Sequence, residues 1–278
     1  MTVESFIIVA VCGLGVGVLS GMFGIGGGGM IVPLLNVAFG LPVLGATSTS
    51  LLTIALTGLS GAIKHLQQKT AQLKIGLVMG GFGALAAVVS SLYAERLPEL
   101  AVVLLTVTVI LFSVGSMVRS LIGGQKRAAN SKGFAPASAP ARQAAPAQAA
   151  MRQERTSLVP PLLIGLTGGA IAGVVGVGGG FIIVPFCVSY LGFSLREAAG
   201  TSLIAITVIA VPGIITHALL GHIWWLFGLA LVVGTIPGAQ LGAWLIARLP
   251  ERPMRFAFCG LLTLMGALML ANQFVILR

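Results

Sequence analysis

GMFGIGGGGMIVP, residues Gly21–Pro33, is the stretch on which the reading of this chain turns. It contains G-x-G-x-x-G through Gly24, Gly26 and Gly29, the spacing of a dinucleotide-binding turn. Such a turn follows a strand in a soluble βαβ unit and requires an acidic residue about 20 positions later to hold the ribose. Here no carboxylate occurs between Glu4 and Glu95, and no G-K-[ST] follows to make an ATPase-type phosphate loop. The flanks are long apolar runs instead. Consecutive glycines inside such a run break a membrane helix and bare its peptide groups, which is tolerated only where backbone is buried in protein or lines a wet cavity.

Composition agrees with a membrane setting. Of 278 residues, 57% are hydrophobic and only 8% charged, against about 25% charged in soluble domains. Apolar stretches recur at 3–20, 44–63, 73–93, 100–118, 158–175, 197–216, 223–246 and 254–271. At about 1.5 Å per residue each is long enough to cross a hydrocarbon core of about 30 Å. The expected class is an all-α polytopic membrane protein. The first stretch has no preceding Lys or Arg and no small-residue cleavage site, so it reads as a retained helix rather than a signal peptide. The acidic residues are all glutamates at or just beyond the ends of apolar stretches. Cys12, Cys187 and Cys259 are solitary and read as apolar packing. No cofactor, bound metal or nucleic-acid partner is expected; the partners are the lipid bilayer and a small solute.

Outward from the glycine segment, the sequence repeats at an offset of 152 residues. Gly21, Gly24, Gly26, Gly27, Gly28 and Pro33 recur as Gly173, Gly176, Gly178, Gly179, Gly180 and Pro185, and Thr49-Ser50-Leu51 recurs as Thr201-Ser202-Leu203. Gly61 recurs as Gly213, His65 as His217, and Leu97-Pro98 as Leu249-Pro250. Between the copies, residues 123–156 shift to Ala, Pro, Gln and scattered basic residues with no apolar period, the composition of a flexible linker. The expected organisation is an N-terminal membrane repeat at 1–122, a basic cytoplasmic linker at 123–156, and a C-terminal membrane repeat at 157–278.

Loop charge orients the copies, because Lys and Arg accumulate on the cytoplasmic side. The connection at 64–74 is basic while its counterpart at 217–222 is not, and the connection at 94–99 is poor in Lys and Arg while its counterpart at 248–255 is rich. The two repeats are therefore expected to be inverted. Inversion requires an odd number of crossings per half, which the glycine segment supplies as a broken helix or re-entrant hairpin, giving about 8 to 10 membrane segments.

The residues after each break, 30–41 and 182–192, are too short to span as helices and read as half-helices, whose N-terminal N–H groups attract anions. Gly13, Gly17 and Gly21, spaced by four, read instead as helix-packing positions. A new helix then starts in each copy, at Pro42 in one and at the capping box Ser194-x-x-Glu197 in the other. Thr49, Ser50, Thr201 and Ser202 lie about two turns in, roughly 11 Å below the helix start. The candidate substrate-binding residues are thus Gly26, Gly27, Gly28, Thr49 and Ser50 with Gly178, Gly179, Gly180, Thr201 and Ser202. His65 and His217 lie toward the far ends of these helices as gating or proton-linked candidates. His222 beside Trp224 and Trp225 has the look of an interfacial belt.

The paired G-x-G-G-G-x-(I/V)-x-V-P segments, the following T-S-L, the duplicated halves and the basic central linker resemble the TauE/SafE family of bacterial membrane proteins. The resemblance covers nearly the whole chain outside the linker. It implies a secondary transporter of the bacterial inner membrane, an exporter of a small sulfur-containing anion such as sulfite or a sulfonate of the sulfoacetate kind, working by alternating access. One departure from repeat symmetry is Gly29 against Phe181, which makes the two halves of any site unequal in bulk. An anion channel, or a carrier of another small anion or of a metal, is the alternative. The nine methionines are scattered rather than clustered as ligands. An enzyme is not expected, since no carboxylate lies at depth to partner the serines.

Overall fold

A computed structural model describes residues 3–94, 108, 111–112, 114–115, 158–175 and 178–276. The expected linker and most of the apolar run at 100–118 lie outside the described residues. All regular structure among the described residues is helical: α1 (Val3–Phe23), α2 (Gly28–Pro33, continued by a π-helical turn over Leu34–Ala38), α3 (Val43–Gln67) and α4 (Leu73–Ala94) in the first copy. The second copy contains α5 (Val159–Val175), α6 (Gly180–Tyr190), α7 (Leu195–Leu219), α8 (Trp225–Ile246) and α9 (Glu251–Ile276). Among the described residues, five helical stretches are long and apolar enough to cross a membrane, Glu4–Phe23, Leu44–Gln67, Leu73–Ser91, Leu195–Leu219 and Trp225–Ile246. Val159–Gly173, Gly180–Tyr190 and Pro253–Leu264 are shorter apolar helices.

Helix boundaries follow local chemistry. Pro42 caps α3 with φ −53°, a geometry its ring favours, and α3 begins one residue later, at Val43. Ser194 accepts from the Glu197 amide while the Glu197 carboxylate accepts from Ser194, completing the expected capping box at the start of α7.

Between helices, glycine sets the distances. On α1, Gly13, Gly17 and Gly21 face the backbone of Leu231, Thr235 and Ala239 on α8; a methyl on Gly17 would stand 2.5 Å from the Thr235 carbonyl oxygen. On α5, Gly165, Gly169 and Gly173 face Met79, Gly83 and Ala87 of α4 in the same way. These six contacts are one interaction made twice, since every residue of the second set lies 152 positions from one in the first. The copies therefore interleave, each lending its first helix to the fourth helix of the other. Without a water-driven hydrophobic effect inside a bilayer, such close backbone approach is what holds helices together.

The order of contacts also gives the helix directions. Gly13, Gly17 and Gly21 meet Leu231, Thr235 and Ala239 in ascending order, so α1 and α8 run parallel, as do α5 and α4. Gly58 meets Thr207, Gly61 meets Leu203 and Leu51 lies against Gly213, so α3 and α7 cross antiparallel. Gly76, Gly80 and Gly83 meet Ile204, Val208 and Ile209, making α4 parallel to α7. Thr57 and Ser60 meet Thr235 and Ile236, making α8 parallel to α3. It follows that α1 and α3 run the same way, and the chain between them, 24–42, has to return along α1. It does so with Ile31 and Leu35 buried among Val9, Val16 and Leu231.

This packing separates two neighbouring glycines on one helix. Gly17→Leu would force a side chain into the Thr235 backbone, whereas nothing lies within 4 Å of a methyl placed on Gly15. Overpacking of this kind costs about 1–3 kcal/mol or more. Gly17→Leu is expected to lower the melting temperature or abolish the monodisperse peak of the detergent-purified protein, and Gly15→Leu to leave both unchanged.

Candidate functional site

Both glycine runs end their helices. Gly26 and Gly27 have φ of +77° and +81°, and Gly178 and Gly179 have φ of +86° and +67°. Such left-handed backbone is disfavoured for residues carrying a Cβ, so the reversal requires glycine. Each run is followed by a new helix organised identically: the Gly27 carbonyl accepts from the Met30 and Ile31 amides, and the Gly179 carbonyl from Ile182 and Ile183. The amides of Gly28 and Gly29, and of Gly180 and Phe181, thus precede the first bond within α2 and α6.

The two breaks come together. A methyl on Gly26 would lie 3.1 Å from Ile54 Cγ2 and 3.2 Å from Ile206 Cγ2; one on Gly178 would lie 3.3 Å and 3.4 Å from the same two atoms. Ile54 and Ile206 are themselves repeat equivalents, one near the middle of α3 and one near the middle of α7, and both are 0% exposed. Gly180 touches the first break directly, a methyl there falling 2.6 Å from the Gly24 carbonyl oxygen. The junction is therefore built from bare backbone of both copies, closed by two isoleucines. Repeat symmetry brackets it. Its glycines cannot carry side chains without displacing Ile54 and Ile206.

Not every candidate residue points here. Gly27 faces Ser20 and Val16 on α1, and Gly179 faces Gly168 and Ala172 on α5. Gly28 is buried at the start of α2. Thr49 and Thr201 are fully buried and bond backbone of the opposite copy: Thr49 Oγ1 accepts from the Trp224 amide at 3.0 Å, and Thr201 Oγ1 from the Gln72 amide at 3.1 Å. Each pins the start of α8 or α4. Ser202 Oγ donates to the Gly24 carbonyl at 2.8 Å, steadying the first break from α7, and also reaches the Ala199 carbonyl. Ser50 Oγ donates to Thr47; the carbonyl equivalent to Gly24, that of Gly176, lies outside the described residues.

His65 is 0% exposed, with Nε2 3.0 Å from the Gly21 carbonyl and Nδ1 2.8 Å from Thr70 Oγ1. Because a carbonyl only accepts, Nε2 carries a proton. His65 thus ties the end of α3 to α1 just before the glycine break. His217 is half-buried and has Nδ1 3.4 Å from His222 Nδ1, while Trp224 and Trp225 are exposed beside it. Among the described residues no group of three or more His, Cys, Asp or Glu side chains could hold a metal ion. What the junction offers a ligand is peptide N–H, carbonyl and hydroxyl.

Sequence reasoning missed Ile54 and Ile206, whose repeat spacing was visible but whose ordinary apolar character carried no signal. Nor could it read the backbone amides that Thr49 and Thr201 hold, which lie some 130 to 175 residues away.

Comparison with known proteins places the chain among transporters. The profile of the family described as "Sulfite exporter TauE/SafE" matches residues 9–269. The probable membrane transporter protein YdhB of Bacillus subtilis is 27% identical over 259 residues, covering 91% of this chain and 96% of that protein. The probable membrane transporter protein YunE of the same organism is 30% identical over 250 residues, 86% of this chain and 88% of that protein. The probable membrane transporter protein MJ0441 of Methanocaldococcus jannaschii is 23% identical over 274 residues, 94% of this chain and 93% of that protein. No solved structure matches the chain.

The paired threonines generate a prediction. Thr201→Val keeps the shape but leaves the half-buried Gln72 amide without its acceptor, at a cost of about 1 kcal/mol. Thr201→Val and Thr49→Val should lower the melting temperature by similar amounts, and Thr201→Ser should restore most of the loss, as measured by fluorescence melting in detergent.

Proposed function

We propose that this chain, which belongs to the Sulfite exporter TauE/SafE family, is a secondary carrier exporting a small sulfur-containing anion, sulfite or a sulfonate, by alternating access. The family and the apolar helices make it a multi-pass membrane protein. The observation that carries the mechanism is the meeting of the two glycine breaks at Gly26 and Gly178, between Ile54 and Ile206. A single site shared by two related halves is the arrangement that rocking of one half against the other can expose alternately.

In this reading the halves are an inverted pair. Supporting it, α3 and α7 occupy equivalent places in the repeat and cross antiparallel, and the same relation follows for α1 with α5 and for α4 with α8. In this reading the return of 24–42 along α1 and a crossing by the apolar run at 100–118 would give the first half an odd number of passages, and α6 and α9 would do the same for the second. The linker at 123–156, rich in Lys and Arg, then lies on the cytoplasmic side of the bacterial inner membrane.

The chemistry suits an anion that must also be released. Peptide amides of Gly26–Gly28 and Gly178–Gly180 would contact the anionic head, with hydroxyls of the T-S pairs freed as the helix starts they pin move apart. Neutral donors avoid burying a fixed cation, which costs about 2.5–3.5 kcal/mol at mid-bilayer on insertion scales. Outward movement of an anion is favoured by an inside-negative potential, about 2.3 kcal/mol per charge per 100 mV. Ile54 and Ile206 close the centre in the described state. His65, bridging α3 and α1, is placed to act as a latch on the first break, and His217 marks the equivalent position on the other face.

Two measurements check this. In proteoliposomes, unlabelled sulfite or sulfoacetate on one side should accelerate movement of the labelled anion from the other; flux without such counterflow would mean a channel, and absence of flux for every sulfur anion would remove the substrate class. Cysteines placed at Gln68 and Gly221 in a cysteine-free background should react with an impermeant thiol reagent from opposite faces of the membrane. Reaction from the same face would refute inversion.

A further inference from the structure

The repeat is symmetric in backbone but not in polarity. Along the contact of α1, α3 and α8 lie Ser20, Thr57, Ser60, His65 and Thr235, all buried, ending at the exposed amide of Gln240. Thr57 Oγ1 donates to Thr235 Oγ1 at 2.7 Å, Ser60 Oγ donates to the Ile236 carbonyl at 3.2 Å, and Gln240 Nε2 donates to Ser60 Oγ at 3.2 Å. Subtracting or adding 152 gives the equivalent contact of α5, α7 and α4, where Ala172, Ile209, Pro212, Gly83 and Val88 stand in place of Ser20, Thr57, Ser60, Thr235 and Gln240, while His65 keeps a polar counterpart in the half-buried His217 and the Ser90 hydroxyl faces α5 there, against Gly173. There the Ile209 side chain lies against Gly83 where the first copy has two threonines.

Helix association does not account for the polar set. Its mirror packs α4 on α7 as closely with an apolar side chain at the same crossing, so α3 and α8 have no need of hydroxyls to stay together. Ser20 makes the point more sharply. Its side chain is 0% exposed and its Oγ has no hydrogen-bond partner, a state that burial penalises unless a ligand or water completes it. Ser20 also faces the first glycine break, its Cβ 3.7 Å from a methyl built on Gly27.

We propose that the α1–α3–α8 seam is the polar half of the solute path, leading a small hydrogen-bond-accepting anion between the first glycine break and the face that bears residues 68–72. The mirror seam is the dry half and does not conduct. The inference rests on the transporter reading and adds to it a side and a direction. The donors run in order along α3: Thr57 one turn from Ile54, then Ser60, then the helix end and the turn into α4, where Lys69 and Lys74 are exposed. Cations at that mouth raise the local concentration of an anion, and no carboxylate lies on α1, α3 or α8 beyond Glu4 at the far end of α1. Hydroxyl and amide groups exchange bonds with each other, with water or with an oxyanion at little cost, so the closed seam can rehydrate when α1 and α8 part from α3.

The test is thiol accessibility in vesicles, with Cys12, Cys187 and Cys259 first replaced by serine or alanine. Ser20→Cys and Ser60→Cys change one atom each, and Ala172→Cys and Val88→Cys are the small-residue controls on the mirror seam; monodisperse elution qualifies each variant. The probe is 2-sulfonatoethyl methanethiosulfonate, itself a small impermeant anion. The seam cysteines should react at least tenfold faster than the mirror pair, from the face bearing residues 68–72. Equal rates, or no reaction at Ser20→Cys and Ser60→Cys, would overturn the proposal. Labile seam cysteines in vesicles that exchange no sulfur anion would keep the wet seam and remove the substrate reading; exchange with inert seam cysteines would do the reverse.

Discussion

Close approach of helix backbones through glycine is the constraint on which the rest of this molecule depends. Gly13, Gly17 and Gly21 against α8, and Gly165, Gly169 and Gly173 against α4, leave no room for a side chain between the chains. In a bilayer the tails of lipids compete equally for apolar surface, so association has to come from packing this close and from polar groups that find partners. Once α1 is fixed on α8 and α5 on α4, the copies are committed to each other. The two glycine breaks, which follow α1 and α5 directly, are then carried to one place.

Polar satisfaction supplies the second layer. Breaking a helix inside a membrane exposes peptide groups that lipid cannot bond, and three of the bonds that answer this need at the break and at helix starts cross between the copies: Ser202 to the Gly24 carbonyl, Thr201 from the Gln72 amide, Thr49 from the Trp224 amide. The same hydroxyls that read as ligand contacts are therefore structural clasps in the closed state. Under the proposed carrier mechanism these clasps across the two copies would be the bonds remade on movement, so the structural and the functional reading of the T-S pair are compatible.

At the centre the closure is apolar. Ile54 and Ile206 fill the space that Gly26 and Gly178 leave open, so the centre is hydrocarbon, with the buried hydroxyls of Ser20, Thr57, Ser60 and Thr235 on one side. That asymmetry lies in the side chains at equivalent positions of the two copies. One seam carries hydroxyls where the other carries bulk, Thr57 against Ile209 being the clearest pair.

Membrane class, all-helical architecture, the 152-residue repeat, the helix breaks and the packing glycines could all be read from the residues alone, because each depends on local composition or on spacing along one helix. The opposed loop charges led to the expectation of inverted copies, which stays a proposal; in the structure itself α3 and α7 cross antiparallel. Partnership was not legible. Which helix Gly17 would meet, what amide Thr49 would hold and where Gly26 would find Gly178 depend on contacts between segments more than a hundred residues apart, and no local periodicity encodes them. The wet seam lay between the two cases: Thr49, Thr53, Thr57 and Ser60 follow one face of a helix in the sequence, yet only the packed structure set Ser20, Thr235 and Gln240 beside them, because a buried hydroxyl takes its meaning from the neighbour that shares its proton.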